Sequence, residues 1–399
     1  MPLPIVDSIS ATFLDLRAQL ARVDAEWIPV SQSAGRILAQ PLESFRDSPA
    51  NDVSAMDGYA MRLGDARSGP IPICGIARAG SPPVPLISGQ ACRIFTGACL
   101  PEGAECVVPR EQCIESDTVV ELSIDPAQVR FGQHIRRRGE NAKAGDVVLA
   151  SSTLLHGASL SSVVSFGAED RIRVRRQLRV AILNTGDELH ELGAPIQDWQ
   201  IRDSNGPLLE GMLASLPWVQ VQRSRVGDDP EAIRTAIERA NETSDALLVT
   251  GGVSMGDTDH VPQSIRDAGG RIVFHRIPIR PGKPMLGAVG PRGQLILGLP
   301  GNPVSVAVTF RRFGLPLLQW LAGLDQDPWV PRVEIENPDA KTLDLVWFRL
   351  VRRTGDGTVA LLTNQGSGDI AALGMSDGFV EVPPGATTQG MRRFFDWKG

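Results

Sequence analysis

Residues 246–265 read ALLVTGGVSMGDTDHVPQSI: an apolar run, then three glycines, a serine and two aspartates before a helical pattern begins. The run ALLVT has no polar residue before its threonine, which is the texture of a strand buried on both faces of a parallel sheet. A plain connection needs only one or two turn residues. The surplus here, with Asp257 and Asp259 on either side of Thr258, predicts that a ligand is held at this strand end.

Outward from this stretch the chain alternates strand and helix. RVAILNTG (179–186) is a strand ending in a glycine turn, and DSNGPLLEGMLASL (203–216) is a helix with Asp203 and Ser204 as candidate caps. WVQVQRSRV (218–226) is a strand, and DDPEAIRTAIERANE (228–242) a helix with Pro230 in its first turn. After VPQSIRDAG as helix come the strands RIVFHRIPI, PMLGAV and QLILGLP. NPVSVAVTFRRFGLPLLQWLAG (302–323) closes the series as one long helix. Such alternation predicts a doubly wound α/β domain with right-handed crossovers.

The rest of the 399 residues must form further domains, because one core does not grow to that size. Short apolar pieces separated by Gly, Pro and Asp between 45 and 144 predict a β-rich inserted lobe. Segments 1–44 and 145–177, with an amphipathic helix from Ser8 to about Leu20 capped by Asp7 or Ser8, predict a linker domain around it. The α/β domain then spans 178–325, and 326–399 reads as a small C-terminal β-domain. The expected class is therefore multidomain α/β.

A net charge of −6 speaks against a general nucleic-acid binder, which needs a basic surface to neutralise phosphates. No stretch approaches the roughly 20 apolar residues of a membrane helix. The first residues lack a basic region followed by an apolar block, so a cytoplasmic protein is expected. Cys92, Cys99, Cys106 and Cys113 recur every seven residues, but Gly and Pro interrupt the segment and no C-x-x-C pair occurs. Buried free thiols are expected rather than a metal site.

In open α/β sheets ligands bind beyond the carboxyl ends of the strands. Three strands end here in unusual loops: NTGDEL (184–189), TGGVSMGDTDH (250–260) and LPGNPVS (299–305). Glycines such as Gly251 and Gly252 let backbone N–H groups approach an anion closely, with Ser254 beside them. Asp187, Glu188, Asp257 and Asp259 are hard oxygen ligands suited to Mg²⁺, and Arg276, Arg280 and Lys283 in HRIPIRPGKP bring cations to the same edge. The combination predicts a phosphorylated ligand with a metal. G-x-G-x-x-G, the P-loop pattern and H-x-x-x-H are missing, which argues against a dinucleotide site, a P-loop ATPase and a zinc hydrolase.

TGGVSMGD, RPGKP and GLPGNPVS, with SAMDGYAMR (54–62), RIFTGA (93–98), IRRRGE (135–140) and NTGDEL, resemble the molybdopterin molybdenumtransferase family, that of bacterial MoeA and the E domain of gephyrin. The match runs in order over nearly the whole chain. The resemblance implies insertion of molybdenum from molybdate into adenylylated molybdopterin, with Mg²⁺-dependent cleavage of the pyrophosphate link and release of AMP. It implies catalytic roles for Asp57, Thr96, Glu188, Asp228 and Asp259, with Glu188 and Asp259 serving the metal. Gly251, Gly252, Ser254, Arg276, Arg280 and Lys283 would hold the substrate, with Arg349 of WFRLVRR and Ser367 of NQGSGD as pterin-side or anion-side contacts. It further implies a homodimer with shared active sites, and contact with a molybdopterin adenylyltransferase and with apo-molybdoenzymes.

Three departures stand out. Asn141 occupies a position where members often carry aspartate, and Arg276 and Arg280 stand where lysines are common. His260 follows Asp259 where an aromatic is common. Two alternatives share the α/β signature: the preceding adenylyltransferase, and a non-catalytic paralogue that binds or delivers molybdopterin.

Overall fold

The computed structural model describes residues 9–254, 259–325 and 329–398. The chain forms two compact units: Met1–Ala39, Ser152–His156 and Ile172–Gly399 make the larger, Gln40–Ser151 and Gly157–Arg171 the smaller.

The larger unit is built on a six-stranded sheet. Its strands are β1 (Leu178–Thr185), β2 (Val219–Val226), β3 (Ala246–Thr250), β4 (Arg271–His275), β6 (Leu286–Val289) and β7 (Leu295–Leu299), in the order β2-β1-β3-β7-β6-β4. A two-residue strand, β5 (Ile279–Arg280), lies outside this sheet. Neighbours β2, β1, β3 and β7 pair in parallel. The sheet is not wholly parallel, because β6 runs antiparallel to both β7 and β4. The reason is connection length: the turn from Val289 to Leu295 is far shorter than the dozen or so residues a parallel crossover needs.

Successive side chains of a strand face opposite sides, and here both sides are apolar. Leu178, Val180 and Ile182 of β1 pack with Leu209 and Leu213 of the helix Asn205–Leu213, while Ala181 and Leu183 pack with Ile233 and Ile237 of the helix Pro230–Thr243. Asp229 caps the latter helix through Ala232 N at 2.8 Å, with Pro230 in the first turn as expected.

The segment expected as one long helix is α-helical over Pro303–Thr309 and Leu315–Leu321, with a π-helical turn at Phe310–Gly314 between them. Pro316 has no N–H to give the carbonyl four residues back, and the widened turn accommodates its ring. That turn presents Phe313, stacked on Phe13 at 4.6 Å between ring centroids. Phe13 belongs to the N-terminal helix, described as Ile9–Ala18; Asp7 and Ser8, its expected caps, lie outside the described residues.

The C-terminal strands β8 (Arg332–Ile335), β9 (Val346–Gly355), β10 (Thr358–Leu361), β11 (Gly378–Val382) and β12 (Arg392–Asp396) pair in the ring β9-β10-β8-β12-β11-β9, a closed barrel that leaves no open edge within itself. Strand β5 adds alongside β9, pairing Ile279 with Val346 and Arg280 with Trp347. Phe348, Leu350, Phe379 and Phe395 of the barrel share the core that packs under the sheet.

The smaller unit holds a six-stranded sheet with apolar clusters on both faces and the helix Gly157–Phe166. Its five cysteines are free; Cys92 and Cys106 are buried, and burial pushes their thiols up to about 11. Among the described residues no helix is long and apolar enough to cross a membrane.

Asp245 ties the amino ends of three strands together. Its carboxylate accepts both terminal nitrogens of Arg176 at 2.7 Å and the Arg179 N–H at 2.9 Å, while its backbone joins Arg179 and Leu295. Burial alone would raise the Asp245 carboxyl, but hydrogen bonds from Arg176 and Arg179 outweigh it and hold it below the usual carboxylate range. A depressed folded-state pKa contributes stability above the unfolded pKa and loses it as pH falls through the folded one. We therefore expect Asp245→Asn to cost about 2 kcal/mol at pH 7, the scale of charge-assisted hydrogen bonds at a half-buried pair. In urea unfolding curves the gap between wild type and variant should narrow progressively as pH falls below about 4; a gap as large at pH 2.5 as at pH 7 would contradict this account.

Candidate functional site

The three glycine loops meet at the carboxyl edge of the sheet. Asn184 Nδ2 donates to Thr250 Oγ1 at 2.7 Å and Thr185 Oγ1 to Thr250 O at 3.2 Å, which joins the ends of β1 and β3. Gly251 N donates to Leu299 O at 3.2 Å, which joins β3 to β7. A side chain at Gly251 would place its Cβ 2.7 Å from Thr185 O, and φ there is +87°, so only glycine fits. Gly301 lies against the Gly251 Cα. Ser254 is exposed just beyond. Asp257 lies outside the described residues, and Asp259 is half-exposed two residues before the helix Val261–Asp267.

Behind the loop, buried His275 bonds through Nε2 to Val253 O at 2.7 Å. Desolvation holds its ring below the usual histidine range, against opposing contributions from the Val253 carbonyl and from Asp259.

The acids gather at the ends of β1 and β2. Asp187 N donates to Asp228 Oδ2 at 3.3 Å and Asp228 N to Asp187 Oδ1 at 3.1 Å, a reciprocal pair. Each carboxylate thus keeps one oxygen for something else. Glu188 is exposed and folds back over Gly186, whose Cβ position would lie 2.7 Å from both carboxylate oxygens. Sequence reasoning counted Asp187 only among the carboxylates and gave it no partner; two acids opening the turns after neighbouring strands were the available signal.

The cations come from the loop between β4 and β6. Arg276 N donates to Met285 O at 2.8 Å and Ile277 N to Lys283 O at 3.0 Å, closing the loop at its base. Arg280 and Lys283 are exposed on it. Gly282 packs so tightly that a Cβ would sit 2.3 Å from Thr309 Cγ2.

Arg349 is already engaged. It bonds Asp339 and lies 4.2 Å over the Trp347 ring, beside the pairing of Arg280 with Trp347. Ser367 is tied directly to the third glycine loop: its Oγ accepts from Asn302 Nδ2 at 2.9 Å and its carbonyl from Val304 N at 3.0 Å. Gly251, Gly252, the 299–302 turn and Ser367 thus form one bonded rim with Asp228 and Glu188 at the adjacent strand ends. Asn184, Thr185, Thr250 and Asn302 belong to this framework, and sequence reasoning passed over them. Their signal is polarity at the ends of otherwise apolar strands.

Asp57 and Thr96 form a second cluster, in the smaller unit. Gly58 pairs with Ile94 across adjacent strands, which brings the residues beyond them together. Thr96 donates through both its hydroxyl and its N–H to Asp57 Oδ1, each at 2.7 Å, and these bonds hold the exposed carboxyl below its usual range. Asn141, in the same unit, accepts from Arg136 Nη2 at 2.6 Å.

Chemically, the rim offers close backbone approach, hard carboxylates and cations on one sheet edge. Comparison with known proteins identifies the family. The chain matches a model described as MoeA N-terminal region (domain I and II) over residues 8–167, and one described as probable molybdopterin binding domain over residues 181–320. It is 35% identical over 340 residues to the molybdopterin molybdenumtransferase of Nostoc sp., covering 83% of this chain and 77% of that protein. To the Haemophilus influenzae molybdopterin molybdenumtransferase it is 36% identical over 305 residues, covering 75% and 74%. The fold is similar to that of the molybdopterin biosynthesis MoeA protein from Pyrococcus horikoshii, with a TM-score of 0.83 at 24% identity over 99% of this chain and 100% of that one. On these matches the chain belongs to the molybdopterin molybdenumtransferase family, enzymes of molybdenum cofactor biosynthesis.

Proposed function

We propose that the protein inserts molybdenum from molybdate into adenylylated molybdopterin, with Mg²⁺-dependent release of AMP. The observation that carries this reading is the bonded glycine rim, Gly251 to Leu299 and Asn302 to Ser367, with the Asp187–Asp228 pair and Glu188 beside it. Glycine backbone there approaches a pyrophosphate without steric hindrance. Lys283, Arg276 and Arg280 offset its negative charge, and arginine in place of lysine keeps that charge while adding bidentate contact. The free oxygens of Asp187 and Asp228, with Glu188 and Asp259, are donors of the hard type Mg²⁺ takes. Held by these residues, Mg²⁺ would supply charge neutralisation at the phosphate oxygens and at the leaving AMP. The residues themselves act by placement and charge, so no nucleophilic triad is required.

Asp57, kept ionised by Thr96, acts on the same substrate from the smaller unit. On this reading the working form is a homodimer in which each active site draws on both subunits. Its partners are a molybdopterin adenylyltransferase, which supplies the adenylate, and an apo-molybdoenzyme, which receives the cofactor, all in the cytoplasm.

The test is AMP release from adenylylated molybdopterin, with and without molybdate. Release that needs molybdate supports insertion; net formation of the adenylate points to the adenylyltransferase, and no release points to a carrier. Glu188→Gln and Asp259→Asn should each lower turnover at least tenfold with the melting curve unchanged, since neither side chain is core packing. Wild-type release in either variant would remove that residue from the site.

Thr96→Ala removes one of the two Thr96 bonds to Asp57, so the carboxyl should protonate at higher pH. The acid limb of the kcat/KM profile should therefore move upward. An acid limb that stays in place would separate Asp57 ionisation from the rate.

Mixing Asp57→Ala with Asp259→Asn chains, each inactive alone, tests the shared site. A heterodimer would carry both lesions in one site and none in the other, recovering up to half the activity of a wild-type dimer. No recovery in a verified heterodimer, or a monomer by light scattering, would rule out the arrangement.

A further inference from the structure

One side chain under the rim has an unusual set of contacts. Asn205 opens the helix Asn205–Leu213 and is only 8% exposed. Its Nδ2 donates to the Gly301 carbonyl at 2.6 Å, whereas its buried Oδ1 has no partner among the described residues. The amide orientation is fixed, because the Gly301 oxygen can only accept.

What holds Asn205 in place is an ion pair behind it. Asp203, its side chain 1% exposed, accepts from Gly206 N at 3.0 Å and from Arg223 Nη1 at 2.9 Å. Arg223 also faces Glu191 at 3.5 Å and Glu210 at 3.3 Å. Gly206 must be glycine here, as a Cβ would meet Arg223 and Asp203 at 2.6 to 2.7 Å. Ser204, in the capping position, makes no side-chain cap bond, so Asp203 does the capping.

The consequence lies in the next peptide unit. In a trans peptide the C=O and the following N–H point in opposite directions. Asn205 draws the Gly301 carbonyl to itself and so turns the Asn302 N–H the other way. Among the described residues that N–H has no acceptor, and a Cβ on Gly301 would lie 3.6 Å from the Gly251 Cα, so this turn borders the first glycine loop.

We propose that Asn205 is a positioning residue: by holding the Gly301 carbonyl it aims the Asn302 N–H at an anionic phosphate oxygen of the substrate. Freed from Asn205, the carbonyl could swing towards that oxygen and repel it. This rests on the molybdenum-transfer reading of the rim.

The experiment uses Asn205→Leu, which removes the bond and the unpaired acceptor together, and Asn205→Ser as a second variant should the first fold poorly. Calorimetric binding of AMP should weaken at least tenfold. KM for adenylylated molybdopterin should rise by a similar factor while kcat changes less and the melting temperature holds. Without any ligand, amide exchange of Asn302 should also differ from wild type. Unaltered AMP affinity and unaltered Asn302 exchange, or a lower melting temperature with KM unchanged, would overturn the proposal. If wild-type protein binds no AMP, the reading of the rim fails, and the exchange measurement still decides whether Asn205 fixes this peptide.

Discussion

The close approach of β1 and β3 at their carboxyl ends sets the geometry of everything above them. The Gly251 Cα passes so near the Thr185 carbonyl that no side chain can stand between them. Asn184 and Thr185 bond across to Thr250, and Gly251 bonds across to Leu299. These polar links cap strands whose remaining residues are apolar on both faces. Buried donors at the strand ends find partners within the layer, while Asn184 Oδ1 is left without one among the described residues. The result is a floor of cross-bonded strand ends that, on the proposed function, would hold substrate phosphates by backbone rather than by long side chains.

The barrel contributes to that floor through chemistry of a different kind. Its strand β9 takes β5 alongside it, and its 364–369 loop supplies the Ser367 contacts to Asn302 and Val304. Rings continue the attachment from Phe13 through Phe313 and Phe348 to Phe379 and Phe395, each step between 4.6 and 6.1 Å. Stacked and edge-on pairs at these separations add to the area they bury. The π-helical turn has a visible role here, since it is the element that carries Phe313.

Much of the fold was legible because β1, β3 and β7 are apolar at every position that must face a helix layer, and Gly251 after β3 is compulsory. The antiparallel course of β6 was less legible: apolar runs give no direction, and only the short turn after Val289 decides it. The π turn escaped because Pro316 within an apolar stretch reads equally as a kink or a helix end. At the site, residues with strong signals were glycines and acids. Asn205 escaped because its contact is to a carbonyl 96 residues away, and a lone asparagine after an aspartate looks like an ordinary cap. Pairing of Asp57 with Thr96 was similarly hidden, since it depends on which strand lies beside which.

Arg349 shows why residue type alone does not settle a binding role. A guanidinium in a family motif invites assignment to an anion, yet this one bonds Asp339 and stacks on Trp347. With one carboxylate already beside it, its remaining field at a distance is that of a near-neutral pair, screened further by solvent. Lys283 and Arg280 have no such partner among the described residues and stand exposed. On the proposed function, the attraction felt by an incoming phosphorylated substrate would therefore come mainly from the loop between β4 and β6. Arg349 stands over Trp347, whose strand position pairs with Arg280, so on that reading an anion reaching Arg349 would share its guanidinium with Asp339.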